Sequence, residues 1–480
     1  MNTIFLKNFL SRYSPKYVRS LVYMMQASEY HVRDFVRWYL RTLNFAQVEQ
    51  RKKLVVTPKA FVFLSVGYLV LGLLYVFVVW AVLVGIVWWK YLLSLFVFLG
   101  APIAIVITMV GLLLVSRYIQ MPVEYFIVAS AKEKLRMHPA HKIAVAGSFG
   151  KTSMREILKT VLGAGKKVAA PPRSYNTPLG ISAFVKSLKG DEEVLIFEMG
   201  EYYPKDIKRL CAFVQPTVGV ITGVNEAHLE KFKDIERTKK TIFELADYLG
   251  DKPIYVNGEN ELAQKNGRPT DLLYSRFGVG SWKVQKPKSD VSGTSFVLQN
   301  ESSKVSVRSQ LLGLHQIGPL SVAVDMAADF GLSLEAIERG ISETKPFEHR
   351  LEPRTDVQGI TILDDSYNGN PDGVRAVIEF LSSLRGGRRW YVTPGLVEMG
   401  KKKEDVHKEI GAHLAKAGIE KVVLVKNSVT PFIAMGLRDA RYSGEVVWFD
   451  RALDAFAALP NLTVKGDIVL LQNDWPDQYA

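Results

Sequence analysis

The chain has 480 residues, 48% hydrophobic and 23% charged, with a formal net charge of +13 and a single cysteine. That length suits two or three domains, and one cysteine, Cys211, rules out an intrachain disulfide and fits a reducing compartment. The positive charge is concentrated: residues 1–59 carry eleven Lys and Arg against Glu29, Asp34 and Glu49. No recognisable nucleic-acid-binding module accompanies it, so no nucleic-acid partner is expected.

Residues 1–59 mix aromatic and basic residues at roughly helical spacing, as in His31-Val32-Arg33-Asp34-Phe35-Val36-Arg37-Trp38. The pattern predicts a basic amphipathic arm, either one or two helices among lipid headgroups or a helical pair packed on the soluble domain. Two charge-free runs follow, 60–89 and 91–116, separated by Lys90. Each exceeds the roughly 20 apolar residues that cross a bilayer. Trp88, Trp89 and Tyr91 flank the lysine as an interfacial belt would. A two-helix transmembrane hairpin over 60–117 is therefore expected, and the apolar block starts too late for a signal peptide. Basic flanks stay on the cytoplasmic side, so a multi-pass protein of the cytoplasmic membrane is expected. Its arm and C-terminal domains face the cytoplasm, and membrane lipids are partners.

Residues 118–140 read as a connector with a short helix near 130–136. From Lys142 strand and helix patterns alternate: strands at 142–146, 194–198, 217–222 and 253–256, helices at 151–163 and 235–249. Such a succession argues for a mostly parallel α/β sheet. Short antiparallel strands are expected within 270–310, then helices at 315–330 and 333–344. Near Pro346 the pattern restarts, with five apolar strands at 361–364, 390–394, 421–425, 446–448 and 467–471. The expected organisation is thus an arm (1–59), a hairpin (60–117), a connector (118–140), a P-loop central domain (141–345) and a Rossmann-like C-terminal domain (346–480). The last contains no G-x-G-x-x-G, so no dinucleotide is assigned to it.

The sharpest local signal is Gly147-Ser148-Phe149-Gly150-Lys151-Thr152-Ser153, between a buried strand and a helix. Backbone N–H groups and a helix N-terminus attract phosphate, Lys151 adds a charge, and the Thr152 hydroxyl suits Mg²⁺. The loop is two residues shorter than G-x-x-x-x-G-K-[ST], because Val145 stands where the first glycine belongs.

This short loop resembles that of the Mur ligases, ATP-dependent enzymes that join an amino acid or dipeptide to a cell-wall precursor. So do Phe197-Glu198-Met199-Gly200, Asn225-Glu226-Ala227-His228-Leu229-Glu230 and Asp364-Asp365-Ser366-Tyr367-Asn368-Gly369-Asn370-Pro371. The last is closest to the MurF type, which adds D-alanyl-D-alanine to a UDP-muramoyl tripeptide. The resemblance covers about 140–480 and leaves 1–120, where such enzymes carry a UDP-sugar domain, without a counterpart.

The resemblance implies ATP and two Mg²⁺ sites, with Gly147, Ser148, Gly150, Lys151, Thr152, Ser153, Asn176, Asp365 and Asn368 around the nucleotide. Thr152 would hold one metal, and Glu198, His228 and a CO₂-derived carbamate on Lys239 the other. Lys240 is the off-by-one alternative. Lys151, Lys239, His228 and Arg350 would serve catalysis, Arg350 by bonding the γ-phosphate bidentately. Two departures stand out. Pro319 replaces an asparagine of the adenine-contacting segment, and 472–478 lacks the basic ending usual in the MurF type.

The expected function is a membrane-anchored amide ligase of cell-wall precursor synthesis. ATP would phosphorylate a muramoyl-peptide carboxylate, and an amine, D-alanyl-D-alanine, would displace the phosphate from the acyl phosphate. Cell-wall assembly proteins are further expected partners. Two alternatives stay open: a different acid/amine pair, such as a lipid-linked or capsule substrate, and a non-catalytic scaffold that retains the fold.

Overall fold

A computed structural model describes residues 9–14, 16–28, 30–42, 44–45, 48, 53–84, 88–172, 175–201, 203–225, 234–367, 369–396 and 399–472. Two compact units result, one running through Phe126 and the other from Ile127 onward.

In the first unit, helices α1 (Tyr17–Ala27) and α2 (Val32–Arg41) precede α3 (Pro58–Leu83) and α4 (Trp88–Met137). Both α3 and α4 are long and apolar enough to cross a membrane. Thr57 caps α3 through its hydroxyl, and Pro58 occupies the first turn, where its missing N–H costs nothing. The expected connector is instead continuous with the second apolar helix, which runs through Pro102 and Pro122 to Met137.

Within the arm, α1 packs against α3 and α4. Tyr17, Val18, Leu21, Met24 and Met25 of α1 are buried against Phe63 of α3 and Ile105, Met109 and Leu113 of α4. A Cβ on Gly67 would lie 2.2 Å from the Met109 side chain and 2.6 Å from Val18, so glycine lets the three helices meet. The Tyr13 hydroxyl donates to the Leu99 carbonyl at 3.1 Å. An apolar stripe that suits lipid suits a helical neighbour equally well. Here the neighbour is the hairpin.

The second unit holds two sheets. In the first, β1 (His141–Ala146), β2 (Val168–Ala169), β3 (Val194–Glu198), β4 (Val218–Ile221), β5 (Ile254–Asn257) and β6 (Leu272–Ser275) form the parallel part. Their spatial order is β6-β5-β4-β1-β3-β2, and the antiparallel strands β7 (Gly278–Val279), β8 (Trp282–Asp290), β9 (Gly293–Gln299) and β10 (Lys304–Ser309) extend it beyond β6. Helices cover both faces, which is why β1 reads as a continuous apolar run. Ile143 and Val145 pack beneath α5 (Lys151–Gly163), while Ala144 and Ala146 face the side covered by α6 (Pro178–Ser187), α7 (Asp206–Val214) and α8 (Ile235–Leu249). Strand order reverses at β1, with β3 on one side and β4 on the other. Ligands of such sheets bind at that switch point, beyond the strands' carboxyl ends.

After α9 (Ile317–Asp329) and α10 (Leu334–Ser342), the second sheet has the order β11-β12-β16-β13-β14-β15. Its strands are β11 (Glu352–Thr355), β12 (Thr361–Asp365), β13 (Arg389–Thr393), β14 (Lys421–Val425), β15 (Glu445–Phe449) and β16 (Ile468–Gln472). Only the β11–β12 pair is antiparallel. The edge strand β11 escapes the sequence pattern because Glu352-Pro353-Arg354-Thr355 has no apolar alternation. The α/β class with a P-loop domain and a Rossmann-like second domain is the observed one.

Candidate active site

The loop after β1 is shaped by two glycines. Gly147 has φ +141°, and a Cβ there would stand 2.2 Å from Thr222 Oγ1. Gly150, at φ +72°, caps α5 in the left-handed region. The segment after β4 pins the loop from beside it. The Ser148 amide donates to the Gly223 carbonyl at 2.9 Å, and the Asn225 amide donates to Ser148 Oγ at 3.3 Å.

Lys151 and Thr152 open α5, and each meets a carboxylate from the end of β3 or just beyond it. Thr152 Oγ1 donates to Glu198 Oε2 at 3.2 Å, and Arg155 Nη1 stands 2.9 Å from Glu198 Oε1. Lys151 Nζ donates to Glu201 Oε1 at 2.7 Å and also to the Gly147 carbonyl. Glu198 is 3% exposed. Burial raises its pKa, while Arg155, Lys151 and the Thr152 hydroxyl pull it back. A hydroxyl and a carboxylate at a phosphate loop form a donor set that fits Mg²⁺. Asn176 stands beside Gly200: its carbonyl accepts from the Gly200 amide at 3.1 Å and its side chain packs on that glycine.

Arg350 sits between two residues in the left-handed region, His349 (φ +62°) and Leu351 (φ +49°). Its guanidinium lies 4.7 Å from the centre of the Tyr367 ring, and its buried Nε has no hydrogen-bond partner among the described residues. A buried guanidinium with an open donor suits an anion. Asp365, at the end of β12, accepts from the Leu351 amide at 3.1 Å and from Gln472 Nε2 at 2.9 Å. Burial lifts its pKa to about 6 against the pull of Arg350.

Gly150, Ser153, Arg350 and Asp365 line one cleft of about 580 Å³, together with His315 and Pro319. Burial pushes the His315 pKa down to about 4, so its ring is neutral at physiological pH. Pro319 falls in the first turn of α9, where a missing N–H is tolerated. It presents a ring to the cleft where an asparagine would present an amide.

Lys239 does not line this cleft. On α8 it pairs with Glu236, and it lines a shallow hollow with Arg237, Lys240, Phe243 and Asn266. Its side chain is 22% exposed, and Lys240 beside it is exposed. His228 and Asn368 lie outside the described residues, and among the described residues no group of three His, Cys, Asp or Glu could hold a metal.

Arg155, Glu201, Gln472 and Asn225 were not singled out from sequence. Asn225 Nδ2 donates to Asn370 Oδ1 at 3.0 Å and to Asp372 Oδ2 at 2.7 Å, tying the β4 loop to the start of α11 (Pro371–Ser383). Asn225 opens the quoted Asn225–Glu230 motif and Gln472 opens the altered ending 472–478, so a signal was present at both; nothing local marks Arg155 and Glu201.

The Mur ligase middle domain matches residues 145–327, and the Mur ligase glutamate ligase domain matches 349–472. The UDP-N-acetylmuramoyl-tripeptide–D-alanyl-D-alanine ligase of Bacillus subtilis is 26% identical over 352 residues, covering 71% of this chain and 75% of that protein. Among solved structures, MurF from Acinetobacter baumannii superposes with a TM-score of 0.65 at 21% identity, covering 73% of this chain and 77% of that one. MurF ligase from Thermotoga maritima in complex with ADP gives 0.64 at 23% identity, covering 73% and 80%. The two domain matches together take in well over half of the chain and both sheets that build the cleft. The chain belongs to the Mur ligase family, the ATP-dependent ligases that form C–N bonds.

Proposed function

We propose that this protein is a membrane-anchored ligase of cell-wall precursor synthesis that adds D-alanyl-D-alanine to a muramoyl tripeptide. The observation that carries the reading is the convergence of Lys151, Thr152 and Glu198 at the phosphate loop with the open Nε of Arg350 in the adjoining cleft. The relatives that share these domains are named for that reaction. Making an amide from a carboxylate requires a better leaving group than hydroxide, and ATP provides it as an acyl phosphate. Lys151 and Arg350 would bind and orient the phosphates, while Thr152 and Glu198 would hold Mg²⁺, which neutralises charge developing on the transferred group. Asp365 and Asn368 would meet the ribose and base, beside Ser153. A carbamate on Lys239, with His228 and Glu198, would complete a second metal site.

The membrane part of the reading rests on α3 and α4, whose apolar windows are mostly exposed within the protein, and on the basic residues that flank them. The domains would then face the cytoplasm, with lipids, a lipid-linked or nucleotide-linked precursor and cell-wall assembly proteins as partners. The test is ADP release by the full-length protein in bilayers, with UDP-muramoyl tripeptide and D-alanyl-D-alanine added singly and together. Turnover that needs both supports the reading, and turnover with neither sinks it. A second reading, a different acid/amine pair, is favoured by residues 472–478, which lack the basic ending usual in the MurF type. Activity with other amines and none with D-alanyl-D-alanine would select it.

A further inference from the structure

Glu201 stands three residues beyond Glu198, and its side chain is 2% exposed. Its partner is the phosphate-loop lysine: Lys151 Nζ is 2.7 Å from Glu201 Oε1, and the same ammonium bonds the Gly147 carbonyl on the loop's own rim. The neighbouring carboxylate does not depend on that lysine in the same way, since Glu198 has the Arg155 guanidinium and the Thr152 hydroxyl. A bound polyphosphate and Glu201 are therefore rival anions for one ammonium in a largely water-excluded setting.

We propose that Glu201 is a positioning residue that parks Lys151 away from the phosphate position in the nucleotide-free enzyme and surrenders it when a polyphosphate enters. The proposal rests on the ATP-dependent reading of this site. Parking lowers the fraction of molecules whose lysine is ready, and apparent affinity falls by that fraction. It also ties Lys151 to the loop at the end of β3, so nucleotide entry frees a buried carboxylate there. A merely structural salt bridge would make no such demand on the sign of the change in affinity.

The experiment is a calorimetric titration of ATP and ADP, with Mg²⁺, into the full-length protein in lipid nanodiscs. Glu201→Gln keeps the shape and removes the rival charge, and the expected result is nucleotide binding roughly five- to tenfold tighter than wild type. Glu201→Asp should bind like wild type. In a Lys151→Met background the gain from Glu201→Gln should vanish, because there is no ammonium left to compete for. Unchanged or weaker binding in Glu201→Gln would overturn the proposal, and so would a gain that persists without Lys151. A wild-type chain that binds neither nucleotide would overturn the ATP-dependent reading as well, so the two failures are distinguishable.

Discussion

Glu198 and Asp365 stand at the ends of parallel strands in different sheets, and burial raises the pKa of both. Their surroundings differ. Glu198 is met by Arg155 and a hydroxyl, with Lys151 close by, whereas Asp365 is met by a backbone amide and the neutral amide of Gln472, with Arg350 adding its pull. The first environment sets cations and a hydroxyl against the burial that raises the Glu198 pKa. The second holds its carboxylate at a pKa of about 6, so a proton stays on it closer to neutral pH than on an ordinary aspartate.

Substitutions should separate the two environments. Lys151→Ala is expected to lower ATP turnover by about a thousandfold or more, near 4 kcal/mol in activation free energy, read in a coupled ADP assay. Glu198→Ala removes the buried one of the two carboxylates that meet the Arg155 guanidinium, itself 4% exposed, and leaves Glu156. Breaking a buried pair costs about 3–5 kcal/mol, so denaturant melts should show a large loss of stability along with loss of activity.

Asp365→Asn should act in the opposite sense on stability. The folded value of about 6 lies above the ~3.9 of an unfolded carboxyl. The folded state therefore holds this proton more tightly, and stability is lost as pH rises from about 4 through 6. Below about pH 4 wild type and Asp365→Asn should melt alike. Above pH 6 the variant should be the more stable by roughly 2–3 kcal/mol, while its nucleotide affinity falls. The smallest effect is expected at Arg276, which reaches Glu259 at 2.6 Å and Glu379 of α11 at 2.9 Å. Glu379 is more than half exposed, so a double-mutant cycle between Arg276→Ala and Glu379→Ala should give under about 1 kcal/mol.

Much of the first environment was legible in the sequence. Gly147, Gly150, Lys151 and Thr152 are neighbours in the chain, and the strand before them and helix after them carry their own periodicities. Glu198 was legible as a polar end to an apolar strand. Arg155 and Glu201 were not, because their pairing depends on how β3 lies beside α5 rather than on local spacing. The contact of Gln472 with Asp365 was hidden for the same reason: the two meet across paired strands 107 positions apart. In the arm, Tyr17, Leu21 and Met25 form an apolar stripe that periodicity can detect, but periodicity cannot say whether lipid or helix covers it. Lys239 was correctly placed on a helix, yet the proposed site around it also requires His228, which lies outside the described residues.

The most direct test of the ligase reading is ADP formation by the full-length protein in bilayers, measured with each substrate alone and with both. The expected result is ADP release only when carboxylate and amine are both present, lost in Lys151→Ala. Equal ADP release in the absence of both substrates, or a Lys151→Ala protein as active as wild type, would contradict it.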